Sequence, residues 1–180
     1  PTKQLPEEPR KFLERYPDTR QLELLQPDML GILRGKRVGR DEFAKPFDDG
    51  LNFCGATVLL DAKGLTFDRI DNGGRDGDPD AISTAVPGSL ATVPWAHVPT
   101  AQVLLTMPEQ ENQPCLVDPR QLLARLLARF AKRGLAPMVA VELEFYLLDP
   151  QRGPMGAPVP PRNPQTGRIE ESKQPYSMDD

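Results

Sequence analysis

The sequence has few of the side chains that hold disulfide-rich or zinc-stabilised folds. Its 180 residues include one histidine and two cysteines, Cys54 and Cys115, which stand far apart and form no Cys-x-x-Cys pair. Secreted small domains use many cysteines at short spacings, so this usage favours a reducing compartment, and we expect a cytoplasmic protein. His97 has no second metal ligand at a suitable spacing, and we interpret it as a structural or surface residue.

Long apolar runs and an excess of basic charge are also missing. No apolar run approaches the roughly 20 residues that cross a bilayer, and the first residues lack the apolar stretch of a secretion signal. The 22 basic and 26 acidic residues give a formal charge of −4. This balance predicts no nucleic-acid partner and no attraction to an anionic membrane, so the expected partners are small molecules or other protein chains.

Proline and glycine are abundant instead, with 21 and 14 residues, and they separate short predicted elements. The first part of the chain predicts a helix over 7–17, a β-hairpin over 21–39, and strands over 53–60 and 101–107. Short strands joined by irregular loops are therefore expected up to about residue 107.

A helix over 119–133 is the clearest local signal. Asp118 can cap it, Pro119 fits its first position, and Gly134 can end it. Gln121 stands where the partner of a capping box is expected. Apolar residues recur with the helical period at Leu122, Leu123, Leu126, Leu127 and Phe130.

The segment 138–148 alternates like a β-strand. One face is wholly apolar, whereas the other carries Glu142 and Glu144, whose positions along a strand lie roughly 6.5 to 7 Å apart. Two carboxylates on one face could direct oxygen ligands into one cavity, as Mg²⁺ or Mn²⁺ requires. A half-exposed antiparallel strand with two solvated glutamates has the same pattern, and spacing alone leaves both interpretations open.

Four segments, taken in order, resemble the glutamine synthetase family. Residues 141–149 resemble its Glu-x-Glu-Phe strand, residues 28–36 its first hairpin, residues 93–95 the strand that leads into its catalytic part, and residues 118–120 the start of the helix before the Glu-x-Glu strand. The resemblance runs from about residue 20 to the end, and only the ordered set is specific.

The resemblance implies an α+β fold with two parts. Residues 1–107 would form a β-grasp-like amino-terminal domain, and residues 108–180 would begin the catalytic domain with its first helix and the first strand of an antiparallel sheet. The family's further ligands for metal, glutamate and phosphate follow later in its chains. We therefore expect this segment to be an amino-terminal fragment that is inactive by itself. The working form implied is a ring-shaped homo-oligomer.

The implied chemistry is ATP-dependent ligation of glutamate to an amine. In this family the two strand glutamates bind divalent metal, which makes Glu142 a ligand of the metal at the nucleotide phosphates and Glu144 a ligand of the metal near glutamate. The cofactors implied are ATP and Mg²⁺ or Mn²⁺. The side-chain carboxylate of glutamate would attack the γ-phosphate, and an amine would capture the resulting γ-glutamyl phosphate.

One departure from the family pattern concerns the acceptor. Members that use ammonia carry Phe-Asp-Gly-Ser-Ser where this chain has Cys54 in place of the aspartate. A neutral thiol cannot stabilise an ammonium ion as a carboxylate can, and the pattern resembles the γ-glutamylpolyamine (γ-glutamylputrescine) synthetase branch. Asp78 and Asp80 could face an organic amine across a subunit interface, but a solvated turn is the more frequent explanation of such residues. A calcium loop is excluded, because Ala81 stands where that loop needs glycine.

Two further functions stay open at this point. The first is an ammonia-using glutamine synthetase. The second is a non-catalytic interaction module that keeps the family's amino-terminal fold and uses its strand edges for assembly.

Overall fold

The computed structural model describes residues 5–65, 80–108 and 115–169. Neither α-helix in these ranges combines the length and apolar character that crossing a bilayer requires. The mixture of helices and strands confirms the α+β class. In chain order, the elements are α1 (Glu7–Arg15), β1 (Gln21–Pro27), β2 (Leu33–Gly39), β3 (Leu51–Cys54), β4 (Asp80–Ala85), β5 (Ala91–Thr92), β6 (Thr100–Thr106) and α2 (Pro119–Ala131), with 3₁₀ turns at Arg40–Glu42, Lys45–Phe47, Gly55–Leu59 and Pro154–Gly156.

The six strands form one mixed sheet in the order β2-β1-β6-β4-β3, and β5 adds a short antiparallel pair to β6. The first strand, β1, lies parallel to the last, β6. Residues alternate between the two faces of each strand, so a single face collects the apolar side chains. The buried cluster on this face consists of Leu22, Leu24, Phe43, Phe53, Val58, Leu59, Ala101, Val103, Leu105 and Met107.

The sheet curls until its two outer strands meet. From β2, the Lys36 ammonium donates to the backbone oxygen of Asn52 in β3 at 3.1 Å. The hairpin between β1 and β2 also reaches the 3₁₀ turn that follows β3, since Met29 N–H donates to the Val58 oxygen at 3.0 Å. Curling places the apolar face on the inside, where the sheet covers it from several sides.

Most of the local predictions in this region are confirmed. The predicted hairpin exists as β1 and β2, which pair antiparallel over seven residues each, and the helices predicted over 7–17 and 119–133 are α1 and α2. The strand predicted over 53–60 is wrong beyond Cys54. There the chain forms a 3₁₀ turn whose Ala56, Val58 and Leu59 are all buried, so this apolar run lacks the alternation of a half-buried strand.

The chain divides into two compact units at the bond between Pro137 and Met138. The first unit holds the sheet and both α-helices. Among the described residues of the second unit, regular structure is limited to the 3₁₀ turn at Pro154–Gly156 and a single bridge between Arg162 and Ile169. The predicted domain boundary at 107/108 is a different division and stays a prediction.

The strand predicted over 138–148 does not form in this structure, and that prediction is wrong here. A strand needs ladder hydrogen bonds to a neighbour, and none of the described residues pairs with this segment. Its predicted apolar face is accordingly open to solvent, from 68% exposed at Leu147 to 87% at Val139.

Candidate functional site

The end of the β3-β4 pair brings together two of the predicted site residues. Cys54 and Asp80 are directly opposite each other in the antiparallel ladder, a position at which the two Cβ atoms lie about 4.5–5.5 Å apart. Cys54 is a half-buried free thiol, and Asp80 is exposed. Asp78, the third residue predicted for this site, lies outside the described residues.

This pair combines a carboxylate with a small, soft apolar group. The Asp80 carboxylate can accept hydrogen bonds from a protonated amine. A thiol is a weak hydrogen-bonding group that behaves mainly as a small hydrophobe, so Cys54 suits a carbon chain better than a bare ammonium ion. The arrangement can therefore hold one charged nitrogen together with the alkyl chain attached to it.

Strand β3, at the end of the strand order, carries Cys54, and its neighbour β4 carries Asp80. Its side chains alternate, and Phe53, which precedes Cys54, points into the core with 7% of its surface exposed. Because neighbouring residues in a strand point to opposite faces, the burial of Phe53 turns Cys54 to the outer face. The Phe53 ring also contacts the Lys36 ammonium, which lies 4.6 Å from the ring centroid.

A buried aspartate organises the hairpin loop that leads into β2. Asp28 is 1% exposed, and its Oδ1 accepts from the amides of Leu30 at 2.9 Å and Ile32 at 2.8 Å. Its Oδ2 accepts from Arg34 Nε at 2.9 Å. Burial alone raises the pKa of Asp28, but the bonds from Arg34 and the two amides together outweigh it, so the pKa lies below its ordinary value.

The sequence analysis missed the roles of two cations on β2. Arg34 donates through Nη2 to the Asp61 oxygen at 2.9 Å, and Lys36 reaches Asn52 as described above, so both connect β2 to the chain at and after β3. Their spacing of two residues could have indicated this, because residues two apart in a strand lie on the same face. Residues 34 and 36 pair with Gln26 and Leu24, which places both cations on the face that carries the buried residues of β1, with Arg34 half-buried and Lys36 exposed.

A second buried aspartate, Asp118, joins the sheet to α2. It is fully buried, and its Oδ2 accepts from Met107 N–H at 2.6 Å and from the Thr106 hydroxyl at 2.7 Å. Its Oδ1 accepts from Arg120 N–H at 2.8 Å, which confirms the predicted cap. The predicted capping box does not close, because Gln121 donates to the Thr106 hydroxyl instead.

Glu142 and Glu144 lie in the second unit, in the segment that forms neither helix nor strand, and both are exposed. Their carboxylates are the right ligand type for Mg²⁺ or Mn²⁺. Across the described ranges, however, no group of three or more histidine, cysteine, aspartate or glutamate side chains could hold a metal ion.

The sequence of this chain is similar to one protein family and to several characterised enzymes. The model of the glutamine synthetase catalytic domain matches residues 116–180. Gamma-glutamylputrescine synthetase PuuA from Escherichia coli (strain K12) is 39% identical over 175 residues, which cover 96% of this chain and 36% of that protein. Glutamate–isopropylamine ligase from Pseudomonas sp. is 32% identical over 143 residues, or 78% of this chain and 30% of that protein.

The fold has counterparts among solved structures. A GmaS/ADP complex aligns with 68% of this chain and 25% of its own chain, with a TM-score of 0.52 and 24% identity. At this identity the likeness supports the fold alone. The chain spans about a third of the length of the curated relatives it matches.

Proposed function

Because this chain belongs to the glutamine synthetase family, we propose that it is part of an ATP-dependent ligase that joins the γ-carboxylate of glutamate to an organic amine. The observation that carries the proposal is the 39% identity to a γ-glutamylputrescine synthetase over nearly the whole chain. A relative named for isopropylamine supports the same class of acceptor. A relative named as a glutamine synthetase, from Mycobacterium tuberculosis, is only 27% identical.

The proposed acceptor site includes Cys54, Asp80 and, from the sequence alone, Asp78. The opposition of Cys54 and Asp80 in the ladder supports this assignment, because a carboxylate can bind the amine nitrogen while the thiol packs against its carbon chain. Ammonia has no carbon chain, so the thiol would add nothing to its binding. This distinction favours an organic amine over ammonia as the acceptor.

The proposed metal ligands in this segment are Glu142 and Glu144. When bound, Mg²⁺ or Mn²⁺ would neutralise charge on the phosphate groups of ATP. The two carboxylates supply hard oxygen ligands of the type these ions prefer. The described residues offer no third ligand beside them, and the resemblance to the family implies that further ligands follow later in its chains.

The proposed reaction has two steps. An oxygen of the glutamate γ-carboxylate attacks the γ-phosphorus of ATP, the bond to the bridging oxygen breaks, and ADP leaves with γ-glutamyl phosphate remaining. The protonated amine then loses one proton to a base, its neutral nitrogen attacks the acyl carbon, phosphate leaves, and a second proton passes from the nitrogen to a base as the amide forms. The carboxylate of Asp80 would hold the protonated amine before this step.

The finer architecture is also part of the proposal. We propose that residues 1–107 form a β-grasp-like amino-terminal domain, which the parallel pairing of the first and last strands supports. Residues 108–180 would begin the catalytic domain, in agreement with the start of the family match at residue 116. The whole protein would work in the cytoplasm as a ring-shaped homo-oligomer that completes its sites between subunits.

The test is turnover in the longest natural form of this chain. ATP hydrolysis is measured with glutamate and Mg²⁺, and the second substrate is putrescine, ethanolamine, isopropylamine or ammonium. Glu144→Gln removes one proposed metal ligand while keeping the size of the side chain. Glu14→Gln is the matched control, because Glu14 is exposed on α1 and forms a surface ion pair with Arg10.

We expect turnover that depends on an organic amine, is lost in Glu144→Gln and is unchanged in Glu14→Gln. Equal turnover with ammonium would favour a glutamine synthetase despite Cys54. No turnover with any amine would overturn the ligase and leave the interaction module as the better function. The 180-residue chain alone is expected to hydrolyse no ATP in this assay.

A further inference from the structure

We propose that Lys36 is a positioning residue for the acceptor end of β3, where its ammonium group fixes the backbone that carries Cys54. The functional part of this inference rests on the proposed function, because β3 concerns an acceptor amine only if the protein is a ligase. The structural part stands on contacts that join the two edges of the sheet.

Strand β3 is weakly attached to the rest of the sheet. It has four residues, and β4 is its neighbour in the ladder. In turn, β4 joins β6 through two residue pairs, Thr84 with Thr106 and Ala85 with Leu105. A short edge strand on so few ladder bonds opens easily, so contacts from outside the ladder decide how firmly it is held.

Lys36 provides such contacts from β2, a strand that is well attached to the sheet. Its own strand, β2, pairs with β1 over seven residues, and Lys36 is opposite the buried Leu24. From there its Nζ donates to the Asn52 oxygen at 3.1 Å and lies 4.6 Å from the centre of the Phe53 ring. A cation within about 6 Å of an aromatic face is attracted to it. Asn52 and Phe53 are the two residues before Cys54 in β3.

The other two cations of β2 are already engaged by carboxylates. Arg34 pairs with the buried Asp28, and Arg37 pairs with Glu23. Within the residues that the structure describes, Lys36 forms no ion pair with a carboxylate. Its charge is therefore directed at the carbonyl and the ring of β3, which makes Lys36 the cation whose loss affects that strand most directly.

The consequence is a mechanical link between the hairpin and the acceptor site. If Lys36 is replaced by an apolar residue of similar length, the Asn52 carbonyl and the Phe53 ring lose their cation, and the end of β3 opens more often. Opening exposes the half-buried Cys54 thiol and disturbs its position opposite Asp80. Arginine can restore both contacts, because guanidinium donates hydrogen bonds and stacks on aromatic rings.

The test measures alkylation of Cys54 by iodoacetamide in the full 180-residue chain with Cys115→Ser as the background. We compare Lys36→Met with Lys36→Arg, and Lys11→Met is the matched control because Lys11 pairs with Glu7 on the exposed side of α1. We expect Lys36→Met to accelerate alkylation about three- to tenfold, in line with the loss of one cation–π contact and one hydrogen bond. Lys36→Arg and Lys11→Met should stay near the starting rate.

Equal alkylation rates in Lys36→Met and the parent chain would overturn the proposal. A second background, Cys54→Ser, reports on Cys115, and an equal acceleration there would reveal general loosening and overturn it as well. In the longest natural form, Lys36→Met should raise KM for the amine several-fold and leave KM for glutamate unchanged. An unchanged amine KM would refute the functional part, whereas absent turnover in the parent enzyme would refute the ligase and leave the thiol result valid.

Discussion

Replacing Asp28 tests whether the hairpin loop depends on one buried carboxylate. In Asp28→Ala the amides of Leu30 and Ile32 and the Nε of Arg34 all lose their acceptor. All three bonds end on a carboxylate, and a hydrogen bond to a charged group contributes about 1.5–3 kcal/mol. Because the Arg34 side chain is 22% exposed, water can replace part of the loss, and we expect the free energy of unfolding to fall by about 3 kcal/mol.

Asparagine at the same position separates the two functions of the carboxylate. The amide oxygen of Asp28→Asn can still accept from Leu30 and Ile32, now as neutral bonds, while the bond to Arg34 is lost, and we expect a cost of about 1–2 kcal/mol. Asp18→Asn is the matched control, because it makes the same change of charge at an exposed position. Urea unfolding at pH 7, followed by circular dichroism, measures the three free energies.

The same variants predict a pH dependence with a definite sign. The pKa of Asp28 is lower in the folded chain than in the unfolded chain, so its carboxylate contributes stability that is fully present above the unfolded pKa of about 3.9. This contribution is lost as the pH falls through the folded pKa. The stability difference between the parent chain and Asp28→Asn should therefore shrink below about pH 4.

Two results would refute this reasoning. The first is a cost for Asp28→Ala no larger than that of Asp18→Asn, which would mean that the loop does not depend on the carboxylate. The second is a difference between the parent chain and Asp28→Asn that stays constant from pH 6 to pH 3, because a constant difference means that Asp28 has the same pKa in both states.

Two more predictions use the same unfolding assay. Asp118→Ala should lower the free energy of unfolding by about 2–3 kcal/mol, because three donors lose their buried acceptor. Asp118→Asn should cost clearly less. Equal costs would contradict the hydrogen bonds that Asp118 accepts in the structure. Gly35→Ala should prevent β1 and β2 from pairing, because the new Cβ would lie 1.8 Å from the Leu24 oxygen. Gly88→Ala is the control. The space around Gly88 is open, and its φ of +77° means that alanine should cost only about 1–2 kcal/mol of backbone strain. A Gly35→Ala chain as stable as Gly88→Ala would show that the close approach does not exist.

Elements that depend on neighbouring residues could be predicted from the sequence. Helix α2 is an example, because Asp118, Pro119 and the leucine period lie within one short segment, and the structure confirms each of them. The hairpin over 21–39 was predicted for the same reason. In both elements the hydrogen bonds that define the structure join residues close together in the chain.

Contacts between distant segments could not be predicted in this way. The pairing of β1 with β6 joins residues about 80 positions apart, and no local pattern indicates which strand lies beside which. The reach of Lys36 to Asn52 depends on the curl of the whole sheet. At the candidate acceptor site, the sequence therefore predicted Cys54 and Asp80 from a resemblance, but not the ladder that sets them opposite each other.

The segment 138–148 shows what sequence periodicity can and cannot predict. Alternation tells which side chains share a face, but a strand exists only where another strand supplies hydrogen bonds. The same limit applies to α2, whose leucine period is helical although Leu122 and Leu123 are about half exposed. Both segments lie in the stretch that matches the glutamine synthetase catalytic domain. In both segments the period is visible in the sequence, whereas no partner that would cover the apolar face is found among the described residues.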